Sequence, residues 1–141
     1  MNAELQSRQE EIVEEFSFYE DWMEKYEQLI EMGKELDALP DESRMDEHLI
    51  RGCQSRVWLL ASKDENQSVR FHADSDAIIT KGIIGLLIRV MNNETPEDVA
   101  KMDLYFITDI GLQEHLSPTR SNGLVSMVKR MKMEAVKQLM H

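Results

Sequence analysis

Residues 77–91, AIITKGIIGLLIRVM, carry Ile78, Ile79, Ile83, Ile84, Leu86, Leu87 and Val90. On a helix these residues leave little room for a polar face, and a helix that is apolar on most sides must be buried on most sides. Lys81 and Arg89 interrupt the run, which is too short for a bilayer span. The stretch from Ala77 onward is therefore predicted to be the helix around which the chain is built. Gly82 and Gly85 lie inside it. Each costs about 0.8–1 kcal/mol relative to alanine in a helix interior, so another backbone is expected to pass close to them.

The elements that cover this helix follow from the other periodicities. Leu5, Ile12 and Phe16 share one helical face, and Trp22, Tyr26, Leu29, Ile30, Gly33 and Leu36 repeat the three-to-four spacing. An N-terminal helix pair is predicted. The period fails in DALPDESRMDEHLIRG, read as an irregular or short-helical connector. SRVWLLAS and SVRFHADS then read as an antiparallel hairpin around the turn KDENQ, with Arg70, His72 and Asp74 on its wet face. In TPED, Thr95 takes the N-cap position and Pro96 the first helical one, and Ser117 with Pro118 repeats part of that signal. Short helices are expected after both. A final helix should bury Leu124, Val128, Met131, Ala135 and Leu139, with Met127 continuing the stripe. Helix pair, small antiparallel sheet, then helices packed on it make the class α+β. At 141 residues, one domain spanning 1–141 suffices.

Charge and cysteine usage narrow the function. The net charge is −11, with 16 acids against 4 bases in residues 1–48 and 11 against 12 in residues 49–141. No basic face is evident, which argues against nucleic acid as a partner. The start MNAELQSRQEE lacks a basic, apolar leader, so a cytoplasmic location is expected and no membrane partner. Cys53 is the one cysteine in the chain. It permits no internal disulfide and no multi-thiolate metal site, which agrees with a reducing compartment.

A lone cysteine is ordinarily a small buried hydrophobe. Here its neighbours are Arg51, Gly52, Gln54, Ser55 and Arg56, polar company with a glycine that allows a sharp turn. A loop tip is predicted, with the two arginines favouring the thiolate. His48 and His115 stay open as bases, whereas His72 should lie on the wet strand face and His141 at the terminus. FHADSD offers His72, Asp74 and Asp76 as metal ligands, but no further ligand cluster accompanies them. Capping of the next helix by Ser75 or Asp76 is the better interpretation. The chemistry left open by the residues alone is an independent cysteine-nucleophile enzyme or a redox-sensing thiol adaptor.

The ordered blocks GCQSRVWL, DSDAIITKG, TPEDV and HLSPTRSNGL closely resemble the SufE family of sulfur-acceptor proteins. The resemblance spans nearly the whole chain and implies a single SufE/NifU-like domain. It further implies docking onto a SufS-type cysteine desulfurase, stimulation of that enzyme, and acceptance of persulfide sulfur on Cys53. The sulfur would pass to the SufBCD scaffold. Pyridoxal phosphate would belong to the desulfurase, with no cofactor on this chain, and a homodimeric state stays open. Gly52 and Ser55 would shape the cysteine loop beside Gln54, with Trp58 packed beneath. Asp76 would hold or release the loop, and Arg120 would lie near the loop or the desulfurase interface. At rest the family tucks the thiol into an apolar pocket.

Overall fold

A computed structural model describes residues 3–140, so His141 lies outside the described residues. Two helices, α1 (Ala3–Ser17) and α2 (Trp22–Lys34), lead through two 3₁₀ turns, Asp41–Ser43 and Asp46–His48, to a hairpin of β1 (Val57–Lys63) and β2 (Val69–Ser75). Helix α3 (Ile78–Met91) follows, then the short α4 (Pro96–Lys101), α5 (Phe106–Asp109) and α6 (Leu112–His115), and the long α7 (Pro118–Gln138). The class is α+β, as expected. No helix among the described residues is long and apolar enough to cross a membrane.

Helix α3 is buried over nearly its whole length, and its glycines do what their cost implied. A Cβ on Gly82 would run into the Leu29 carbonyl of α2, with the Leu29 carbonyl carbon only 2.6 Å away. A Cβ on Gly33 would lie 2.9 Å from the Gly82 nitrogen. The two backbones therefore touch, which brings Leu29 and Met32 of α2 into the core. Helix α1 buries Leu5, Ile12 and Phe16 as predicted, together with Gln9, which the apolar period passed over. The Gln9 amide donates to the Asp103 carbonyl (3.0 Å) and accepts from the Phe106 N–H (3.2 Å), so its burial is compensated. Arg8 donates to the Val90 and Asn92 carbonyls at the C-terminal end of α3, where a cation also suits the helix dipole.

The hairpin pairs Val57 with Ser75 through Lys63 with Val69. Its alternation sends Val57, Leu59, Val69, Phe71 and Ala73 into the core. Arg70 and His72 are exposed as predicted, but Asp74 is not: its side chain is 2% exposed. The connector folds back as a roof over this end of the sheet. The Leu39 N–H (3.0 Å) and the Arg44 guanidinium (2.6 Å) donate to one Asp74 oxygen, and Lys81 (3.2 Å) and the Ser75 N–H (2.8 Å) reach the other. Arg44 also lies over the ring of Trp58, the residue paired with Asp74 across the sheet. Burial by itself would push the Asp74 carboxyl up, but these four donors together hold it down to about 2.

Thr95 caps α4 by accepting from the Asp98 N–H, and Ser117 caps α7 by accepting from the Arg120 N–H. No short helix follows Pro118. One continuous helix of 21 residues does, because no breaker intervenes and Leu124, Met127, Met131 and Ala135 keep a single buried stripe. Leu139 falls past its end and is half exposed. Arg130 of α7 donates to the Leu49 (2.9 Å) and Glu47 (3.3 Å) carbonyls, which fixes the chain just before the cysteine.

Two outcomes follow from this packing. Gly82→Ala, mild on an open helix, should lower stability by about 3 kcal/mol in urea unfolding, since the α2 and α3 backbones must separate. Asp74 is held below its ordinary 3.8, so its stabilisation is complete above that value and is lost as pH falls toward about 2. Its contribution is on the order of 2 kcal/mol. Urea unfolding from pH 5 to pH 2 should show wild type losing that much more stability than Asp74→Asn, which starts lower at neutral pH.

Candidate functional site

The cysteine loop is fastened at its two ends and little between. Its base is closed by the Ile50 N–H donating to the Val57 carbonyl at 2.9 Å. At the far end Asp76 accepts from the Arg56 N–H (3.0 Å) and donates its own N–H to the Arg56 carbonyl (3.2 Å), which also receives the Ser75 hydroxyl (2.7 Å). The expected capping of α3 by Asp76 is thus not found: the N-cap residue is Ala77, with no side-chain bond, and Asp76 is spent on the loop. Ser75 does bond the Ala77 N–H, in addition to its bond with Arg56. With Asp74 on Arg44 and Lys81, Asp76 on Arg56 and His72 exposed, the three metal-ligand candidates of this strand do not converge.

Gly52 has φ of +95°, which favours glycine, and a Cβ there would also strike the Ser126 side chain of α7. Glycine thus lets the loop lie against α7. The loop position is as predicted, but the thiol itself is turned inward. Cys53 is half-buried, with Sγ 3.6 Å from the Gly123 carbonyl, a weak S–H donation. The pull of the two arginines toward the thiolate is opposed here. Burial pushes the Cys53 thiol up from its ordinary value, whereas Arg51 and Arg56 are exposed, where solvent screens their charge. The resting group is the protonated thiol.

The thiol borders a cavity of about 380 Å³ between its loop, α3 and the N-terminal end of α7. Ile83, Gly123 and Met127 give this cavity apolar walls, but Ser55, Thr80 and Arg120 make it less apolar than the resemblance implied. On the loop's other side lies a second hollow of about 400 Å³, bordered by Asp46, Leu49 and Arg56, with Cys53, Gln54 and Ser55 common to both. Residues 53–55 border both hollows and so form a partition between them.

Cys53, Gln54, Ser55 and Arg120 therefore meet at one cavity, with Gly52 against α7 and Asp76 behind the loop. Among the described residues the Arg120 side chain has no hydrogen bond or ion pair, and it stands in the first turn of α7, where the helix dipole disfavours a cation. The alternative of helix-end pairing finds no partner there. His48 and His115 border neither hollow. His48 lies 3.7 Å from Glu47, and His115 stacks on Trp22 at 4.0 Å. Trp58 is buried beneath the connector, as expected of a packing residue. Thr80 was missed, although it is the one hydroxyl in the apolar run of α3.

Comparison with known proteins places this arrangement. The SufE family, described as the Fe-S metabolism associated domain, matches residues 10–135. The chain belongs to the SufE family. Its SufE-like relatives include an uncharacterized protein of Rhizobium etli, 39% identical over 130 residues that cover 89% of this chain and 88% of the relative. SufE-like protein 1 of Arabidopsis thaliana, called chloroplastic/mitochondrial, is 37% identical over 133 residues, which are 94% of this chain but 36% of that longer protein. The solution structure of a hypothetical protein from Thermus thermophilus shares the fold, with a TM-score of 0.77 over 95% of this chain and 97% of that one at 23% identity. Membership in SufE assigns the chain to iron–sulfur metabolism.

Alkylation of native Cys53 should be slow at neutral pH and accelerate only above the ordinary thiol range, while the urea-unfolded chain responds near pH ~8.5. Asp76→Ala, by freeing the Arg56 N–H, should raise the native rate several-fold at a stability cost of about 1 kcal/mol. An unchanged rate would mean that the loop is held elsewhere.

Proposed function

We propose that this SufE protein is a sulfur carrier, with Cys53 the acceptor of persulfide sulfur from a SufS-type cysteine desulfurase. The observation that carries this reading is the placement of the chain's one thiol on a loop with space on both sides, fastened at its ends. Such a loop can carry its thiol into another protein's active site without unfolding the core. Once drawn out of its cavity, the thiol loses the burial that keeps it protonated, so reactivity rises on docking.

In the transfer, the Cys53 thiolate attacks the outer sulfur of the donor persulfide. A new S–S bond forms as the donor's S–S bond breaks, and the electron pair leaves with the donor thiolate. The proton lost by Cys53 balances the one that thiolate can take up. No net oxidant is needed. Removing the persulfide frees the desulfurase for another cycle, which accounts for its stimulation. The pyridoxal phosphate that liberates sulfur from cysteine belongs to that enzyme, and this chain uses no cofactor of its own. Return of the loop shelters the cargo until it is passed to the SufBCD scaffold, and the cytoplasm supplies the reducing setting. A single cysteine suits this role, since a second nearby thiol would attack the persulfide and release sulfide.

An independent thiol enzyme would need a base, and the positions of His48 and His115 outside both hollows weigh against it. A peroxide sensor would need a ready thiolate, which burial opposes. The test is intact-mass spectrometry under non-reducing conditions after incubation with a SufS-type desulfurase and cysteine. Wild type should gain sulfur that reductant removes, and Cys53→Ser should gain none while keeping its fold. No adduct, with the desulfurase active and unstimulated, would sink the carrier reading.

A further inference from the structure

The cavity behind Cys53 contains a group that the resting protein does not use. Thr80, in the first turn of α3, is 7% exposed and borders the cavity, yet among the described residues its hydroxyl has no hydrogen-bond partner. It does not even bond back to the preceding backbone, the usual recourse of a helical threonine. The hydroxyl is not sealed away, since Glu94 Oε1 is the one buried side-chain oxygen or nitrogen without a partner among the described residues, so the Thr80 hydroxyl is open to whatever occupies the cavity.

Loading sulfur changes what the site must satisfy. At rest the Cys53 thiol is a donor, and the Gly123 carbonyl accepts from it. A persulfide is a stronger acid than a thiol, so once loaded the group has no proton to donate and bears negative charge on its outer sulfur. The Gly123 carbonyl can then offer it nothing, and the outer sulfur needs donors. The inner cavity supplies the Thr80 hydroxyl from α3, and the free Arg120 guanidinium and the N-terminal end of α7 from the other wall. We propose that Thr80 is the donor that receives the outer sulfur of the Cys53 persulfide, so that the cavity holds the loaded form better than the empty one. This rests on the carrier reading of Cys53 and adds a residue that positions its cargo. Charged groups bordering the thiol are Arg120 on the inner side and Asp46, Arg51 and Arg56 on the outer, with Asp76 behind the loop. None of them changes when Thr80 is substituted.

The experiment loads Cys53 with inorganic polysulfide, so that the persulfide forms whether or not a desulfurase docks. The thiol and a polysulfide dianion give the Cys53 persulfide anion and a hydrogen polysulfide one sulfur shorter, balancing atoms and charge. Alkylation of the loaded sulfur is followed against pH in wild type, Thr80→Val and Thr80→Ser, with thermal melting of each unloaded protein. Loss of a hydrogen bond to an anion should raise the midpoint of the Thr80→Val profile by about one pH unit and shorten persulfide lifetime toward reductant about tenfold. Thr80→Ser should restore both. Unloaded Thr80→Val should melt no lower than wild type, because the threonine hydroxyl makes no bond to the protein at rest. Coincident wild-type and Thr80→Val profiles would overturn the proposal, as would a less stable unloaded Thr80→Val or a wild-type thiol that polysulfide cannot load. Failure of the desulfurase to load Cys53, with these profiles still separated, would count against the carrier reading alone.

Discussion

The close passage of α2 over α3 at Gly33 and Gly82 is the constraint on which the remaining arrangement depends. Side chains at those positions would push the helices toward the usual interaxial separation of 8–10 Å. With the backbones in contact, α2 covers one side of α3 and leaves its other sides to the hairpin, α7 and, at its C-terminal end, α1. The N-terminal turn of α3, carrying Thr80, thereby faces the start of α7 across the cysteine cavity. A helix apolar on most sides is what allows one element to serve four neighbours.

Electrostatics fasten the site to that frame. Three successive residues at the end of β2 divide the work: Asp74 binds the roof through Arg44 and α3 through Lys81, while Ser75 and Asp76 bind the end of the cysteine loop at Arg56. The strong anchor is buried and the weaker ones are nearer solvent. The bonds that hold Arg56 are few and separate from those around Asp74, so breaking them would leave the connector and the hairpin joined.

What the sequence disclosed was what local periodicity and cap chemistry determine. The apolar density of α3, the need for close approach at Gly82, the hairpin around KDENQ and the Thr95 and Ser117 caps are each determined by neighbours within a turn or two. Asp74 escaped because its partners Leu39 and Arg44 lie 35 and 30 residues away, and alternation alone sends such a residue to water. The thiol's protonated state escaped for a like reason. Arg51 and Arg56 are adjacent in sequence, but the dominant influence is burial against α7, some seventy residues on. Family resemblance supplied Cys53, Asp76 and Arg120, and geometry brings all three to the loop and its cavity. Thr80 stands in the block DSDAIITKG without a role assigned to it, although a hydroxyl inside so apolar a helix is a signal that physical reasoning can find.

The empty space on both faces of the cysteine loop has a consequence for timing. A thiol made reactive by nearby cations would answer to every electrophile it met, and its selectivity would rest on chemistry alone. Here burial subdues the group where it rests, and the proposed function would have it become competent only when a partner draws the loop outward. Discrimination between the proposed donor and stray oxidants would then become a matter of which can open the partition. On the proposed carrier reading, the waiting time would be governed by encounters with the desulfurase, and the idle state would be chemically quiet.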